Sequence, residues 1–81
     1  MLITVRYYAI LRDMTGVTVE EMTVPHDCHG DELINHIVER HPGVAEFAPF
    51  LRLANDREYI SAATTLTEKE TISVIPPVSG G

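Results

Sequence analysis

The chain has 81 residues, a mass of 9.0 kDa and a net charge of −6, which describes one small acidic domain. This charge argues against a sequence-independent grip on nucleic acid or on an anionic membrane, since such binding requires clustered Lys and Arg. The single cysteine, Cys28, cannot form an internal disulfide. No apolar stretch reaches the ~20 residues of a membrane helix, and no signal peptide is recognisable. We therefore expect a cytoplasmic protein.

The first predicted element is a strand. From Leu2 to Tyr8, apolar and polar residues alternate, which is the period-2 pattern of a strand with one buried face. The face that we expect to be buried carries Ile3, Val5 and Tyr7. Tyr8 therefore belongs to the opposite face. The residues that follow, Ala9 to Met14, are predicted to form a short helical turn that is closed by Gly16.

A second strand is predicted from Val17 to Val24, where β-branched residues are frequent. Its apolar phase slips between Val19 and Met22, so neither face of the strand is apolar throughout. A β-bulge inserts one extra residue into a strand and produces such a slip. We therefore expect a bulge here, at a position that the sequence does not assign. Pro25 cannot donate to a ladder and ends the strand.

One long helix is predicted from Gly30 to His41. Its apolar residues recur at i, i+1, i+4 and i+5, which places them on one buried face. They are Leu33, Ile34, Ile37 and Val38. Acidic residues occupy the first turn and basic residues the last, as the helix dipole prefers, and Pro42-Gly43 ends the helix. The N-cap is either Asp27, which lies a little early, or His29, which is a poor cap.

Three short strands are predicted after the helix. They are Phe50 to Ala54, Arg57 to Ser61 after a turn at Asn55-Asp56, and Thr71 to Ile75. A polar connection with Leu66 as its apolar anchor precedes the last strand, in which Ile75 lies on the face opposite Ile72 and Val74. The element order β, β, α, β, β, β predicts an α+β domain, with a mixed sheet and one helix packed on one face.

Two internal clusters carry side chains that could do chemistry. His26, Cys28 and His29 are potential metal ligands, but tetrahedral zinc sites take ligands farther apart and need a second cluster. We expect a polar loop without a metal site, and Cys28 as a small core residue. On the helix face opposite the apolar stripe, three polar side chains recur at four-residue spacing: Glu32, His36 and Arg40. We expect a solvated face there rather than an acid–base relay.

The last residues differ from the rest of the chain. Every charged side chain lies at or before Glu70, and the sequence ends in Pro76-Pro77-Val78-Ser79-Gly80-Gly81. The two prolines end sheet pairing and stiffen the chain, and Gly80-Gly81 fits where residues with a Cβ would clash. A carboxylate on such a tip can be threaded into an enzyme and activated as an acyl-adenylate. We therefore expect a domain of residues 1–75 and a flexible tail of residues 76–81 that is a substrate for other enzymes.

At this point the sequence resembles the molybdopterin synthase small subunits, a family of ubiquitin-like sulfur carriers. The resemblance runs the full chain. It is most specific in Pro76-Pro77-Val78-Ser79-Gly80-Gly81, and the opening Ile3-x-Val5-x-Tyr7-Tyr8-Ala9 with Arg12 and Gly16 supports it. It implies a β-grasp fold and a sulfur carrier for molybdenum cofactor biosynthesis whose Gly81 carboxylate is adenylated and then thiocarboxylated. It further implies that the tail, Gly80 included, enters the partner's active site.

The resemblance also implies the partners. A ubiquitin-activating-type adenylyltransferase uses ATP and magnesium to activate the tail, and the large synthase subunit transfers sulfur to cyclic pyranopterin monophosphate to form the molybdopterin dithiolene. Two small and two large subunits form a heterotetramer. The catalytic residues are expected on the large subunit, and no cofactor is expected to be bound by the chain itself.

A docking surface is implied as well. The matching positions are Tyr8, Tyr59 and Ile75, with Arg12 pairing with partner acids and Pro76, Pro77, Val78 and Ser79 lying against the partner. Family members usually carry Phe or Leu at the docking positions, so two tyrosines suggest a wetter patch. Two alternatives would use the same C-terminus, namely a modifier joined to lysines of target proteins, and sulfur delivery to tRNA or thiazole. A plain interaction module would not need a Gly-Gly end.

Overall fold

The structure is a computed structural model that describes residues 1–77; the predictions made for Val78, Ser79, Gly80 and Gly81 lie outside the described residues. Its elements are β1 (Leu2–Tyr7), α1 (Ile10–Thr15), β2 (Val19–Thr23), α2 (Gly30–Arg40), a 3-10 segment (Pro42–Phe50), β3 (Arg52–Ala54), β4 (Tyr59–Ile60) and β5 (Thr71–Ile75). None of the helices within this range is long and apolar enough to cross a bilayer.

The five strands form one mixed sheet in the order β2-β1-β5-β3-β4. The first and last strands, β1 and β5, lie side by side at its centre and are parallel, while the other neighbours are antiparallel. Helix α2 packs on one face of the sheet, which is the α+β arrangement that the element order predicted. Because β5 is paired on both sides, the strand that leads into the C-terminal segment is held at the middle of the sheet.

The core lies between α2 and the inner face of the sheet. The predicted inward sets of the two central strands are buried there: Ile3, Val5 and Tyr7 from β1, and Ile72 and Val74 from β5. Of the predicted stripe on α2, Leu33 and Ile37 are buried, whereas Ile34 and Val38 are half-buried. Leu66 is also buried and anchors the connection before β5, as expected. The turn after β1 ends at Gly16, whose φ of 79° is the left-handed conformation that glycine adopts without strain.

The bulge predicted in the second strand is wrong. Strand β2 pairs with β1 in an unbroken register, from Leu2 opposite Thr23 to Arg6 opposite Val19. Val19 faces outward, and the inward position before Met22 is occupied by a carboxylate, Glu20. The slip in the apolar phase therefore reports a polar side chain on the inner face, and not an extra residue in the strand.

The bounds of three further elements differ from the sequence prediction. Strand β3 begins at Arg52 because Phe50 closes the 3-10 segment that follows α2. Strand β4 contains two residues, since the Asn55 side chain closes a tight turn by accepting hydrogen bonds from the N–H groups of Arg57 and Glu58. Helix α2 ends at Arg40, one residue before the predicted end.

The start of α2 resolves the two possible N-caps in favour of His29. Its side chain is a weak cap, but Glu32 accepts a hydrogen bond from the His29 N–H at 2.9 Å, as in a capping box. The N–H groups of Gly30 and Asp31 donate to the carbonyl oxygens of Thr64 and Ala62, each at 3.0 Å. The loop between β4 and β5 thus satisfies helix donors that a stronger cap would otherwise satisfy.

Candidate functional site

The outer face of the sheet, opposite α2, carries a shallow apolar depression at the end of β5. Tyr8, Ala54, Ser73 and Ile75 line it, contributed by the segment after β1 and by β3 and β5. These residues meet because β5 lies between β1 and β3, so outward-facing positions on the three strands become neighbours. Tyr8 is 44% exposed and Ile75 is half-buried. Apolar side chains that the fold leaves uncovered are suited to bind another protein.

Tyr59 extends this surface toward the sheet edge. It lies on β4 opposite Ala54, is 55% exposed, and its ring lies under the guanidinium of Arg52 at 4.3 Å from the centroid. Such a cation–π contact holds the ring in place without burying it. The structure thus brings Tyr8, Tyr59 and Ile75 to one exposed face; their role in docking stays a prediction.

The hydroxyl of Tyr8 has a partner within the protein. Ser73 Oγ donates to Tyr8 Oη at 3.4 Å, a long hydrogen bond across β1 and β5. The hydroxyl therefore lies above the depression, with capacity left for a further hydrogen bond. The expectation of a wetter docking surface than phenylalanine or leucine would give stays a prediction.

The C-terminal segment leaves the sheet beside this depression. Strand β5 ends at Ile75, after which Pro76 is half-buried and Pro77 is exposed. Neither proline can donate to a neighbouring strand, so the sheet stops here. Arg12 lies exposed on α1, and no ion pair with it forms among residues 1–77.

The cluster around Cys28 is organised as a helix start. Within residues 1–77, the side chains close enough to hold a metal ion together are His29, Asp31 and Glu32, a set that leaves out His26 and Cys28. His29 Nδ1 already lies 2.8 Å from Glu32 Oε1, and these bonds from the His29 backbone and ring lower the pKa of Glu32. Cys28 is buried, and burial, with the nearby Glu32 and Asp31, raises the pKa of its thiol, which disfavours the reactive thiolate.

The three polar side chains along α2 do not form a relay. Each pairs with a different residue: Glu32 with His29, His36 with Glu39, and Arg40 with Glu20. Glu32 and Arg40 are exposed and His36 is half-buried, so the predicted solvated face is observed. Arg40 also reaches back to β2.

Sequence reasoning missed a polar cluster at the inner end of the sheet. Tyr7 Oη donates a hydrogen bond to Glu20 Oε2, His41 Nε2 lies 2.7 Å from the same oxygen, and Arg40 Nε lies 3.3 Å from Glu20 Oε1. The rings of Tyr7 and His41 meet edge to face, 5.8 Å apart. Burial and the Glu20 carboxylate raise the pKa of Tyr7 far above its usual value. The phase slip in β2 was the one signal of this cluster.

A family model described as the ThiS family matches residues 5–81 of the chain. The molybdopterin synthase sulfur carrier subunit of Homo sapiens is 34% identical over 98% of the chain and 93% of its own length. Among solved structures, a putative molybdopterin converting factor subunit 1 from Pyrococcus furiosus is 27% identical and superposes with a TM-score of 0.85, covering 96% of this chain and 99% of its own.

Two further structures share the fold at lower identity. A complex of subunits 1 and 2 of molybdopterin-converting factor from Helicobacter pylori includes a chain with a TM-score of 0.69 at 23% identity, with full coverage of both chains. A ubiquitin from Caldiarchaeum subterraneum has a TM-score of 0.67 at 13% identity, covering 100% of this chain and 98% of its own. The ubiquitin-like β-grasp fold that the resemblance implied is confirmed.

Proposed function

The chain belongs to the ThiS family, and we propose that it is the sulfur carrier subunit of a molybdopterin synthase, acting in molybdenum cofactor biosynthesis. The observation that carries this proposal is the human sulfur carrier subunit, which is 34% identical and aligns with 98% of the chain. The family model matches residues 5–81, a range that includes Tyr8 and the Gly-Gly end. In this proposal the domain presents its C-terminus to other proteins and needs no catalytic centre of its own.

The chemistry is assigned to the carboxylate of Gly81. An adenylating enzyme of the ubiquitin-activating type, using ATP and magnesium, joins this carboxylate to AMP and releases pyrophosphate. A sulfur donor then displaces AMP and leaves a thiocarboxylate, whose sulfur passes to cyclic pyranopterin monophosphate and becomes part of the molybdopterin dithiolene. The absence of acidic side chains after Glu70 supports this, because negative charge on the tail would be repelled by a triphosphate.

The fold suits delivery of the tail. Strand β5 is hydrogen-bonded to β1 and to β3, so the residue before Pro76 has a fixed position at the centre of the sheet. The depression lined by Tyr8 and Ile75 lies beside this exit. A partner that covers the depression would therefore hold Pro76, the first residue of the C-terminal segment, at a fixed position.

The large synthase subunit is the proposed occupant of that face. The chain of similar fold from Helicobacter pylori was solved in a complex of subunits 1 and 2. We assign two small and two large subunits to the assembly and place it in the cytoplasm. In this proposal, the residues that catalyse sulfur transfer belong to the large subunit. Arg12 and the segment from Pro76 to Ser79 contact the partners. This chain itself is proposed to hold no cofactor or metal.

Intact-mass measurement tests the proposal. The chain is incubated with the adenylating enzyme, ATP, magnesium and a sulfur donor, and the expected product carries one sulfur in place of one oxygen at Gly81. Addition of the large subunit and the pterin substrate should return the carboxylate form and yield molybdopterin. Conjugates with other proteins as the main product would instead show a modifier, and thiolated tRNA or thiazole would show a different acceptor.

A further inference from the structure

Two arginines flank the apolar depression on the outer face of the sheet. Arg6 on β1 lies opposite Ser73 of β5, and Arg52 on β3 lies opposite Ile75. Both side chains are exposed, because the residues on either side of them along their strands point into the core. They therefore stand on opposite sides of β5, with the depression and the start of the C-terminal segment between them.

Neither arginine is neutralised within the part of the chain that the structure describes. The ion pairs among residues 1–77 involve Arg40 and three histidines, and none includes Arg6 or Arg52. Arg52 lies on the ring of Tyr59, which orients its guanidinium without cancelling its charge. Glu21 on β2 points to the same face, but it lies opposite Thr4, whereas Arg6 lies opposite Val19. Among residues 1–77, its carboxylate forms no ion pair with Arg6.

The face that carries α2 has a different charge: four of the twelve acidic residues of the chain lie on α2 and the 3-10 segment. Helix α2 and the 3-10 segment carry four exposed carboxylates: Asp31, Glu32, Glu39 and Glu46. The chain as a whole has a net charge of −6. The outer sheet face thus presents Arg6 and Arg52 beside an apolar centre and Glu21 farther along β2, whereas the helix face carries an excess of carboxylates. A charge distribution of this kind orients a protein as it approaches a charged partner.

We propose that the large synthase subunit presents carboxylates around an apolar patch, and that these meet Arg6 and Arg52 when the outer face docks. This inference rests on the proposed function. The acidic rim of the partner attracts the two arginines and repels the helix face, so encounters are biased toward the orientation that directs the tail inward. Charges at the rim of an interface act mainly on the association rate and on its dependence on salt.

The test compares charge reversals at three arginines. Arg6→Glu and Arg52→Glu alter the proposed rim, and Arg57→Glu, in the exposed turn between β3 and β4, is the matched control with the same change in net charge. Association with the large subunit from the same genome is followed by stopped-flow at salt concentrations from about 50 to about 500 mM. All three side chains are exposed, and circular dichroism checks that each variant is folded.

Each rim reversal is expected to slow association about tenfold at low salt, with the difference shrinking as salt rises, and Arg57→Glu is expected to stay within about twofold of the wild type. Arg6→Gln and Arg52→Gln, which remove the charge without reversing it, should give about half of that effect on a logarithmic scale. Sulfur loading of Gly81 by the adenylating enzyme is measured on the same samples as an independent readout of the proposed function.

Three outcomes would overturn the inference. Association rates equal to the wild type for both rim variants would show that these arginines are solvated surface charges. An equal loss in Arg57→Glu would show an effect of net charge alone. If the wild-type chain is loaded with sulfur and yet fails to bind the large subunit, the docking partner is wrong; if it is not loaded at all, the proposed function itself fails.

Discussion

Glu20 is the residue that departs most from the sequence prediction. Its side chain is 12% exposed and accepts from Tyr7 while pairing with Arg40 and His41, so one carboxylate joins β1, β2 and the end of α2. In the sequence, a carboxylate at an inward-facing strand position interrupts the alternation of apolar and polar residues, which is why a β-bulge was predicted. Two of its partners, Tyr7 and His41, lie 13 and 21 residues away along the chain, and only the folded structure brings them together with Glu20.

Replacing Glu20 by alanine is expected to lower the free energy of unfolding by about 1–3 kcal/mol, because the buried hydroxyl of Tyr7 and the ring of His41 lose their acceptor. Urea denaturation followed by circular dichroism measures the change. Glu21→Ala is the matched control, since Glu21 faces solvent on the same strand. Equal stability of the two variants would show that the cluster does not contribute to the fold.

The raised pKa of Tyr7 gives a second prediction at this scale. Burial, followed by the hydrogen bond to Glu20, favours the neutral phenol in the folded state, whereas an unfolded tyrosine titrates near pH 10. Stability is therefore fully present below pH ~10 and falls as pH rises above that value. Unfolding of the wild type and of Tyr7→Phe, compared between pH 8 and about 11, should show a weaker decline in the variant. An identical decline in both proteins would contradict the assignment.

The exposed positions were predictable for a simple reason. Tyr8 follows β1 and Ile75 is the last residue of β5, two strands with strict alternation, and alternation alone places a residue on one face or the other. The neighbours of these residues were not predictable. The order of β1, β5 and β3 within the sheet decides that Tyr8 meets Ser73 and Ile75.

At the scale of elements, α2 shows how a helix can begin without a strong cap. Gly30 is buried against the loop between β4 and β5, and its N–H donates to Thr64. A Cβ at this position would lie 2.7 Å from the carbonyl oxygen of Ser61, a backbone atom that cannot rotate away. The sequence showed a glycine at the start of a helix, but the reason for it lies in a loop that is distant along the chain.

Gly30→Ala should therefore destabilise the domain by about 1–3 kcal/mol, although alanine is the better helix former. The matched control is Gly43→Ala, where an added Cβ meets nothing within 4 Å. Thermal unfolding of both variants separates the effect of the close approach from that of helix propensity. A stabilised Gly30→Ala protein would mean that the loop gives way at little cost.

Elements with regular patterns were predicted well and irregular ones were not. Strand β5 was predicted at Thr71–Ile75 and is observed there, because its β-branched alternation contains no interruption. Phe50 was assigned to a strand because it is apolar and aromatic. It closes a 3-10 segment in the structure and is 61% exposed, since the chain must turn there before it enters β3.

At the scale of the whole molecule, the domain and its C-terminal segment are expected to have separate roles. The buried core of the described residues extends from Ile3 to Val74. Removal of Gly81 should therefore abolish adenylation and sulfur loading while leaving the melting temperature unchanged. Intact mass and differential scanning calorimetry on the truncated and full chains measure the two effects. A truncated chain that melts at a clearly lower temperature would refute this separation.

The docking face gives the remaining prediction. Tyr8→Asp introduces a charge into the apolar depression and should weaken binding of the large subunit by at least tenfold, because the buried carboxylate would lack a partner. The monomer should remain folded, since Tyr8 is 44% exposed. Val17→Asp, at an exposed apolar position outside the depression, is the control for a general effect of added charge. Equal weakening by both variants would place the interface elsewhere.

The sequence by itself determined which residues face the core, because periods of 2 and 3.6 are properties of the backbone alone. It also led to the expectation, which stays a prediction, that other enzymes use the uncharged Pro-Pro and Gly-Gly end. The tertiary structure decided what those residues meet. Strand order placed Tyr8, Ile75, Arg6 and Arg52 around the exit of β5, and the closure of α2 onto the sheet supplied Glu20 with its partners. Contacts between strands and helices depend on topology, and no local pattern in the chain encodes them.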